Sequence, residues 1–272
     1  MENFQLSLFV KIIGISSASG LIYLDNKLYL ISDSSTFLYE YLISDAKLNA
    51  IALVENPEEN KAKKDKPDFE AITLKGNKLY IFGSGSTQKR NKLVVYNLEN
   101  NEVKRKDLSD LYKTIQEKIN LSDDELNIEG VLLLKDNILF FQRGNGNSGK
   151  NGIVCTNKNP DEIKFIPFDL PQIKNVSTTF TDAVLVEETI YFLATAEDTS
   201  STYHDGEIMG SIIGSIDLKT MKLLNWVQIT DNQKFEGLTL YNKTKDQIEF
   251  LLCEDNDTKE LVSPIYLLKL TI

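Results

Sequence analysis

Five stretches of the chain repeat one order of apolar and polar positions. Each begins with a serine or an acidic residue and a small residue, and continues with an apolar run, a polar turn and a second apolar run. The small residues recur at intervals of 51 to 59 residues, and they are Gly20, Ala71, Gly130, Ala183 and Gly237. A repeat of this length predicts the four-stranded blades of a β-propeller, because each blade is a meander of short strands.

The two ends of the chain complement each other. The fifth stretch ends at Ile272 after its third predicted strand, and the apolar run from Gln5 to Ile12 belongs to no repeat. If that run pairs with the last blade, every blade has four strands and the ring has no open edge. The sequence therefore predicts an all-β fold: one domain over residues 1–272, a five-bladed β-propeller with four antiparallel strands per blade, closed by the N-terminal strand on the last blade.

Two stretches depart from the strand pattern. Residues 55–68 are rich in charge and predict a solvated loop, whereas residues 109–126 carry apolar residues at helical spacing. Both lie between the outer strand of one blade and the inner strand of the next. They therefore belong to the face of the propeller on which the inner strands begin, and the loops of that face are long and varied, as binding loops usually are.

The residue before each small residue should point to the central axis. These five residues are Ser19, Glu70, Glu129, Asp182 and Glu236. Four carboxylates this close cannot all stay ionised without a counter-charge, and Ca²⁺ accepts six to eight oxygen ligands. Mg²⁺ requires a smaller octahedron, and Zn²⁺ prefers His and Cys. Two interpretations stay open, namely a calcium ion bound by the five side chains, or a plug of water and capped backbone N–H groups without metal.

A second set of polar residues follows the second strand of each blade. Among them, Arg143 is suited to bind a phosphate or carboxylate, and Asp33 or Glu197 to act as a general base on water. The alternative for each is a salt bridge between loops. The sequence therefore predicts a small-molecule or anionic ligand at the mouth of the tunnel.

Composition restricts the partners. The formal net charge of −10 disfavours nucleic acid and anionic membranes, and no apolar run approaches the length of a transmembrane helix. The N-terminus lacks the basic and apolar regions of a signal peptide, so we expect a cytoplasmic protein, the alternative being a leader lost from the sequence.

The order of the five axial residues resembles that of the calcium-activated nucleotidase (apyrase) propellers, which place a ring of Ser and Glu around a central calcium. The repeated Glu-Gly and Glu-Ala pairs are also similar to those of the propellers named for an esterase-like activity of phytase, and to those of an uncharacterised bacterial propeller family. The resemblance implies calcium at the five positions. It departs at Asp182, where the nucleotidase pattern has Ser.

Three functions follow as hypotheses. The first is a calcium-dependent hydrolase of phosphoesters or phosphoanhydrides, with the metal and Arg143 stabilising charge. The second is a non-catalytic propeller that binds a ligand or a protein and uses the metal structurally. The third is a glycoside hydrolase, because such enzymes use pairs of carboxylates.

Overall fold

The computed structural model describes residues 3–157, 162–199, 201, 206–256 and 260–271. Its strands form five antiparallel sheets, four of them with four strands and one with five. The innermost strands contact one another in cyclic order, and the last contacts the first. The chain is therefore a five-bladed β-propeller, and the predicted fold class is confirmed.

The chain starts with β1 (Phe4–Ile13). From the axis outwards, blade 1 contains β2 (Gly20–Leu24), β3 (Lys27–Ile31), β4 (Phe37–Leu42) and β5 (Lys47–Ala52). Blade 2 contains β6 (Phe69–Lys75), β7 (Lys78–Gly83), β8 (Lys92–Asn97) and β9 (Val103–Asp107). Blade 3 contains β10 (Ile128–Leu133), β11 (Ile138–Gln142), β12 (Gly152–Thr156) and β13 (Lys164–Pro167).

Blade 4 has an additional short strand, β14 (Gln172–Ile173), beside its inner strand. Its other strands are β15 (Val176–Val186), β16 (Thr189–Asp198), β17 (Glu207–Asp217) and β18 (Lys222–Thr230). Blade 5 contains β19 (Phe235–Lys243), β20 (Gln247–Glu254) and β21 (Val262–Thr271), and β1 pairs with β21 as its outer strand. The predicted closure of the ring by the N-terminal strand is thus confirmed.

Small residues at the start of the inner strands allow neighbouring blades to approach closely. A Cβ added to Gly237 would lie 2.5 Å from Sγ of Cys253 and 2.9 Å from Cα of Gly20 in the next blade. No side chain fits at this distance, so the position requires glycine.

Apolar side chains fill the five seams between neighbouring blades. The ring of Phe180 in blade 4 makes edge contacts with Phe141 of blade 3 and Phe192, at centroid distances of 5.3 and 5.0 Å. Such seams hold the blades in fixed relative positions, because each blade buries both faces against its neighbours.

The predicted helical stretch contains one helix, α1 (Ser109–Ile119), which packs Tyr112 and Ile115 into the seam between blades 2 and 3. It ends earlier than residue 126, because Asn120 adopts a left-handed conformation with φ of 55°. The backbone N–H of Ser122 donates to Glu125 (3.1 Å), as in a capping box, but the residues there form a turn.

Candidate functional site at the axis

Three glutamates reach the axis because the inner strands begin with a β-bulge. In blades 2, 3 and 5 the register to the second strand shifts at Glu70, Glu129 and Glu236, which are left without a direct partner. A bulge changes the direction of its side chain. All three side chains line one cavity at the axis, on the face where the inner strands begin.

Blade 4 differs from the prediction by one residue. Its bulge falls at Thr181, and Asp182 takes the position that Gly130 and Gly237 have in other blades. The Oγ1 of Thr181 donates to the backbone O of Phe235 (2.6 Å), just as Oγ of Ser19 donates to the O of Phe69 (2.5 Å). Thr181 is therefore the counterpart of Ser19. Each hydroxyl donates to the residue before the bulged glutamate on the inner strand of the next blade.

Two of the five predicted ring residues, Ser19 and Asp182, are not among the residues that line the axial cavity, and the carboxyl group of Asp182 binds backbone instead. Its Oδ2 accepts the N–H of Leu238 and its Oδ1 that of Ala183, both at 2.7 Å. Burial raises the pKa of Asp182 well above its usual range, although the two N–H groups oppose this shift. The carboxyl group links blades 4 and 5 through the backbone.

The axial cavity encloses about 250 Å³, and its wall in the described part of the chain consists of charged and polar residues only. The acidic ones are Asp33, Asp68, Glu70, Glu129, Glu197, Glu236 and Asp255. The basic ones are Lys61, Lys63, Lys66, Arg90, Arg143 and Lys234. A ligand of this cavity must be small and strongly polar, because an apolar one would leave these groups without partners.

Arg143 lies at the centre of an ion-pair network. The residue is 3% exposed. Its Nη1 lies 3.2 Å from Oε1 of Glu129 and 3.7 Å from Oε1 of Glu236, and its Nη2 contacts Oε2 of Glu197. The structure thus brings the predicted catalytic residues Arg143, Glu197 and Asp33 to one cavity, with the guanidinium already bound to three carboxylates.

Two lysines, the buried Lys234 and the partly buried Lys66, are each shared by two carboxylates. The Nζ of Lys234 lies 2.7 Å from Oε1 of Glu236 and 2.8 Å from Oδ2 of Asp255. The Nζ of Lys66 contacts Asp33 and lies 2.8 Å from Oδ1 of Asp68. These pairs compensate most of the negative charge of the wall, as buried charges require.

Glu70 and one oxygen of Glu129 remain uncompensated. Among the described residues, no hydrogen bond or ion pair involves Glu70, and Oε2 of Glu129 is buried without a hydrogen-bond partner. Burial raises the pKa of Glu70 well above its usual range, and the charges of Asp68, Glu129 and Glu236 add to the effect. One donor of the wall, Nε of Arg143, is also buried without a hydrogen-bond partner in the described chain. The oxygens of Glu70 and Oε2 of Glu129 outnumber it, so the cavity has a surplus of acceptors.

The sequence analysis did not identify one group of residues in the wall of the axial cavity. Asp68, Asn127 and Lys234 each precede a bulged glutamate by two residues. Because side chains alternate along a strand, residues two apart share one side. The contacts Asn127 Nδ2 to Glu129 Oε1 (2.8 Å) and Lys234 to Glu236 confirm this arrangement. The signal was present as the triplets Asp-Phe-Glu, Asn-Ile-Glu and Lys-Phe-Glu. Lys66 lies in the loop before β6 and Arg90 in a short 3-10 helix (Gln88–Arg90) between β7 and β8, and neither carries such a signal.

No helix within the described ranges has the length and apolar character needed to cross a membrane. A family model described as a family of unknown function, DUF6929, matches residues 14–270. No curated protein matches the sequence.

Solved structures with similar folds have low sequence identity to the chain. The allergen Mala s 1 of Malassezia sympodialis has a TM-score of 0.57 at 11% identity, covering 96% of both chains. The PQQ-bound aldose sugar dehydrogenase of Streptomyces coelicolor has a TM-score of 0.55 at 11% identity, covering 98% of both. The glutaminyl cyclase of Myxococcus xanthus has 0.52 at 9%, covering 98% of this chain and 97% of its own. None of these three is a nucleotidase or a phytase, and the likeness shows the fold alone.

Proposed function

Because the chain belongs to DUF6929, a family of unknown function, we propose its function from the axial cavity. We propose that the cavity is the active site of a hydrolase that binds a divalent cation, calcium in the first place, and a small anionic substrate such as a phosphoester or phosphoanhydride.

The proposal rests on one observation, the equivalent positions of five oxygen-bearing side chains along the inner strands. The three glutamates among them line the axial cavity, whereas the two hydroxyl residues do not belong to its wall. With Thr181 in place of Asp182, the order around the axis is hydroxyl, carboxyl, carboxyl, hydroxyl, carboxyl, and the residues are Ser19, Glu70, Glu129, Thr181 and Glu236. This order resembles the Ser and Glu ring of the calcium-activated nucleotidases more closely than the order with Asp182. A hydroxyl that donates its proton to a carbonyl keeps lone pairs for a cation.

The surplus of acceptors in the cavity supports a cation. Within the described residues Glu70 makes no hydrogen bond or ion pair, and its carboxylate lies within 4.8 Å of those of Asp33 and Asp68. Oε2 of Glu129 is buried without a hydrogen-bond partner, and such groups are costly unless a donor or cation satisfies them. Oxygen ligands of this kind fit calcium. When bound, calcium would supply positive charge beside the anionic group of a substrate.

Glu197 and Asp33 differ in how well each could act as the general base. Glu197 is held by Arg143, and its Oε1 accepts the N–H of Gly206 (2.8 Å), so its carboxylate is less free to accept a proton from water. Asp33 is more exposed, and its carboxylate contacts Lys66. We therefore assign the general base to Asp33, and the attraction of an anion to Lys61 and Lys63 near the mouth.

A second function is favoured by the ion-pair network itself. Arg143 of blade 3 contacts Glu197 of blade 4 and Glu236 of blade 5, so the wall also ties three blades together. A cation in such a network would stabilise the ring without catalysis. This is the non-catalytic propeller of the second hypothesis.

Isothermal titration of calcium into the chelator-treated protein tests the cation site. We expect one calcium ion per chain, and at least about tenfold weaker binding in Glu129→Gln, because a carboxylate ligand is lost. Glu102→Gln, an exposed residue paired with Lys104 far from the axis, is the matched control and should bind calcium unchanged. Absence of binding, or equal binding by Glu129→Gln, would contradict the proposal.

Hydrolysis of a panel of nucleotides and p-nitrophenyl phosphate separates the two functions. Calcium-dependent turnover that Asp33→Asn abolishes supports the hydrolase. Calcium binding that raises the melting temperature without turnover of any substrate supports the structural metal.

A further inference from the structure

A second cavity opens on the same face, between blades 1 and 2. It encloses about 500 Å³, twice the volume of the axial cavity, and lies between the loop that follows β5 and the strands β8 and β9. We call it the interblade groove. We propose that the interblade groove is a second ligand site, and that its ligand is an organic anion with an apolar body.

The floor of the groove is apolar. Phe69, Leu93 and Val94 line it and are buried, with Pro67 beside them. This floor continues the apolar seam of blades 1 and 2, to which Phe69 and Val94 belong. Because the floor residues are already buried, the gain comes mainly from the apolar body of the ligand, which leaves water when it lies against the floor.

The rim of the groove carries positive charge. Arg105 lies directly across from Val94 on the neighbouring strand, and Lys92 lies across from Asp107. Arg105 and Lys106 form no salt bridge to any residue within the described ranges. The chain as a whole has a net charge of −10, so exposed and unpaired cations beside an apolar floor set this place apart. They complement a carboxylate, sulfonate or phosphate group.

The acidic residues of the groove are mostly engaged elsewhere. Asp65 pairs with Lys89 at 2.6 Å, and Oδ1 of Asp107 accepts the N–H of Ser109 at 2.7 Å. Glu55 is exposed at the edge. Lys61 is likewise paired, with Glu58. The remaining acids, Glu55 and Asp107, are outnumbered by the three bases Lys92, Arg105 and Lys106, so a small positive excess remains above the floor and favours an anion over an ammonium compound.

One chain segment forms part of both cavities. Along residues 65–70, Asp65, Pro67 and Phe69 line the interblade groove, and the alternate residues Lys66, Asp68 and Glu70 line the axial cavity. Only Phe69 and Glu70 of this segment lie in a strand. Asp65 ends a turn and Asp68 has a left-handed backbone with φ of 55°, so local turns divide the side chains between the two cavities. Among the described residues that line them, the two cavities share only the side chain of Lys61, which is paired with Glu58. The assignment of the groove rests on the other residues and does not depend on what the axial cavity binds.

Octanoate is the probe, because it joins a carboxylate to an apolar chain. Isothermal titration into the full chain, in the presence of chelator, should give one octanoate per chain. In Arg105→Glu the affinity should fall about tenfold or more, because a charge-assisted contact is replaced by repulsion. Lys104→Glu makes the same change of charge on the same strand, outside the groove, and should retain the affinity.

Two further probes test the two parts of the ligand. Butyrate should bind at least about tenfold more weakly than octanoate, because four methylene groups of apolar surface are lost. Octylammonium should not bind. Equal loss of affinity in Arg105→Glu and Lys104→Glu, absence of octanoate binding, or binding of octylammonium as tight as that of octanoate would overturn the proposal. Because Arg105 and Lys104 are both exposed, neither variant should change the fold, and circular dichroism checks this.

Discussion

The axial cavity and the interblade groove lie side by side on one face, but they differ in the burial and pairing of their charged side chains. In the axial cavity, charged side chains are buried and hold one another, as Arg143 holds three carboxylates. In the groove, charged side chains such as Arg105 stand exposed above an apolar floor. The same residue type is therefore part of the folded structure in one place and available to a ligand in the other.

The comparison shows why burial decides the role of a charge. A buried cation has lost its water and depends on its protein partners, so those partners depend on it in turn. An exposed cation keeps its water and contributes little to stability. The same substitution, arginine by methionine, should therefore change the free energy of unfolding far more in the axial cavity than in the groove.

The largest effect is expected for Arg143→Met. Glu129, Glu197 and Glu236 would lose their shared cation in a buried place, at a cost of about 3–5 kcal/mol in the free energy of unfolding. Urea denaturation followed by far-UV circular dichroism measures this change.

Arg105→Met is the matched substitution in the groove and should change the free energy of unfolding by less than about 0.5 kcal/mol. If both variants lost the same stability, the contrast between the two cavities would be wrong.

An intermediate effect is expected for Asp182→Ala, just outside the axial cavity. The buried N–H groups of Leu238 and Ala183 would lose their acceptors, which costs about 2–3 kcal/mol. Asp182→Asn retains one carbonyl oxygen and should lose less. Thermal unfolding of both variants gives the order, and an Asp182→Ala variant as stable as the wild-type protein would show that the carboxyl group is not structural.

A small effect, which depends on pH, is expected on the loop surface at Glu125. The hydroxyl of Ser122 and the N–H groups of Ser122 and Ser148 lower the pKa of Glu125 to about 2. This lies below the value of about 4.3 for an unfolded glutamate, so the contribution of Glu125 is present above that pH and is lost as the pH falls towards 2.

Glu125→Gln should therefore destabilise the protein at pH 7 by about 0.5–1 kcal/mol, a small figure because solvent screens this partly exposed carboxylate. The difference from the wild-type protein should shrink between pH 4 and pH 2, as followed by urea denaturation at several pH values. A difference that grew on acidification would have the wrong sign for a lowered pKa.

Most of the fold could be predicted from the chain, because each blade repeats its own signal. The small residues before apolar runs located the inner strands, and the leftover run at the N-terminus predicted β1 and its pairing with β21. Blade 4 was misaligned because Ala183 is as small as the residues that begin the other inner strands. The apolar residue before each bulge was the better guide, since Phe180 corresponds to Phe69 and Phe235.

The site was predicted only in part. The repeat located Glu70, Glu129 and Glu236, because they occupy equivalent positions. The repeat could not locate Lys66 and Arg90, because loops of different length bring them to the wall. Because the sequence did not locate these basic residues, it predicted a ring of acids where the structure has a network of shared ion pairs. The presence of calcium and the catalytic roles stay predictions.

The alternating segment 65–70 constrains the length of the chain at this point. Asp68 has a left-handed backbone with φ of 55° and Glu70 lies at a bulge, so deletion or insertion of one residue there would displace wall residues of both cavities. A change of length would therefore damage both cavities at once, whereas many changes of composition on one side would spare the other. Natural variants of this protein should accordingly vary in residue type here while conserving the spacing.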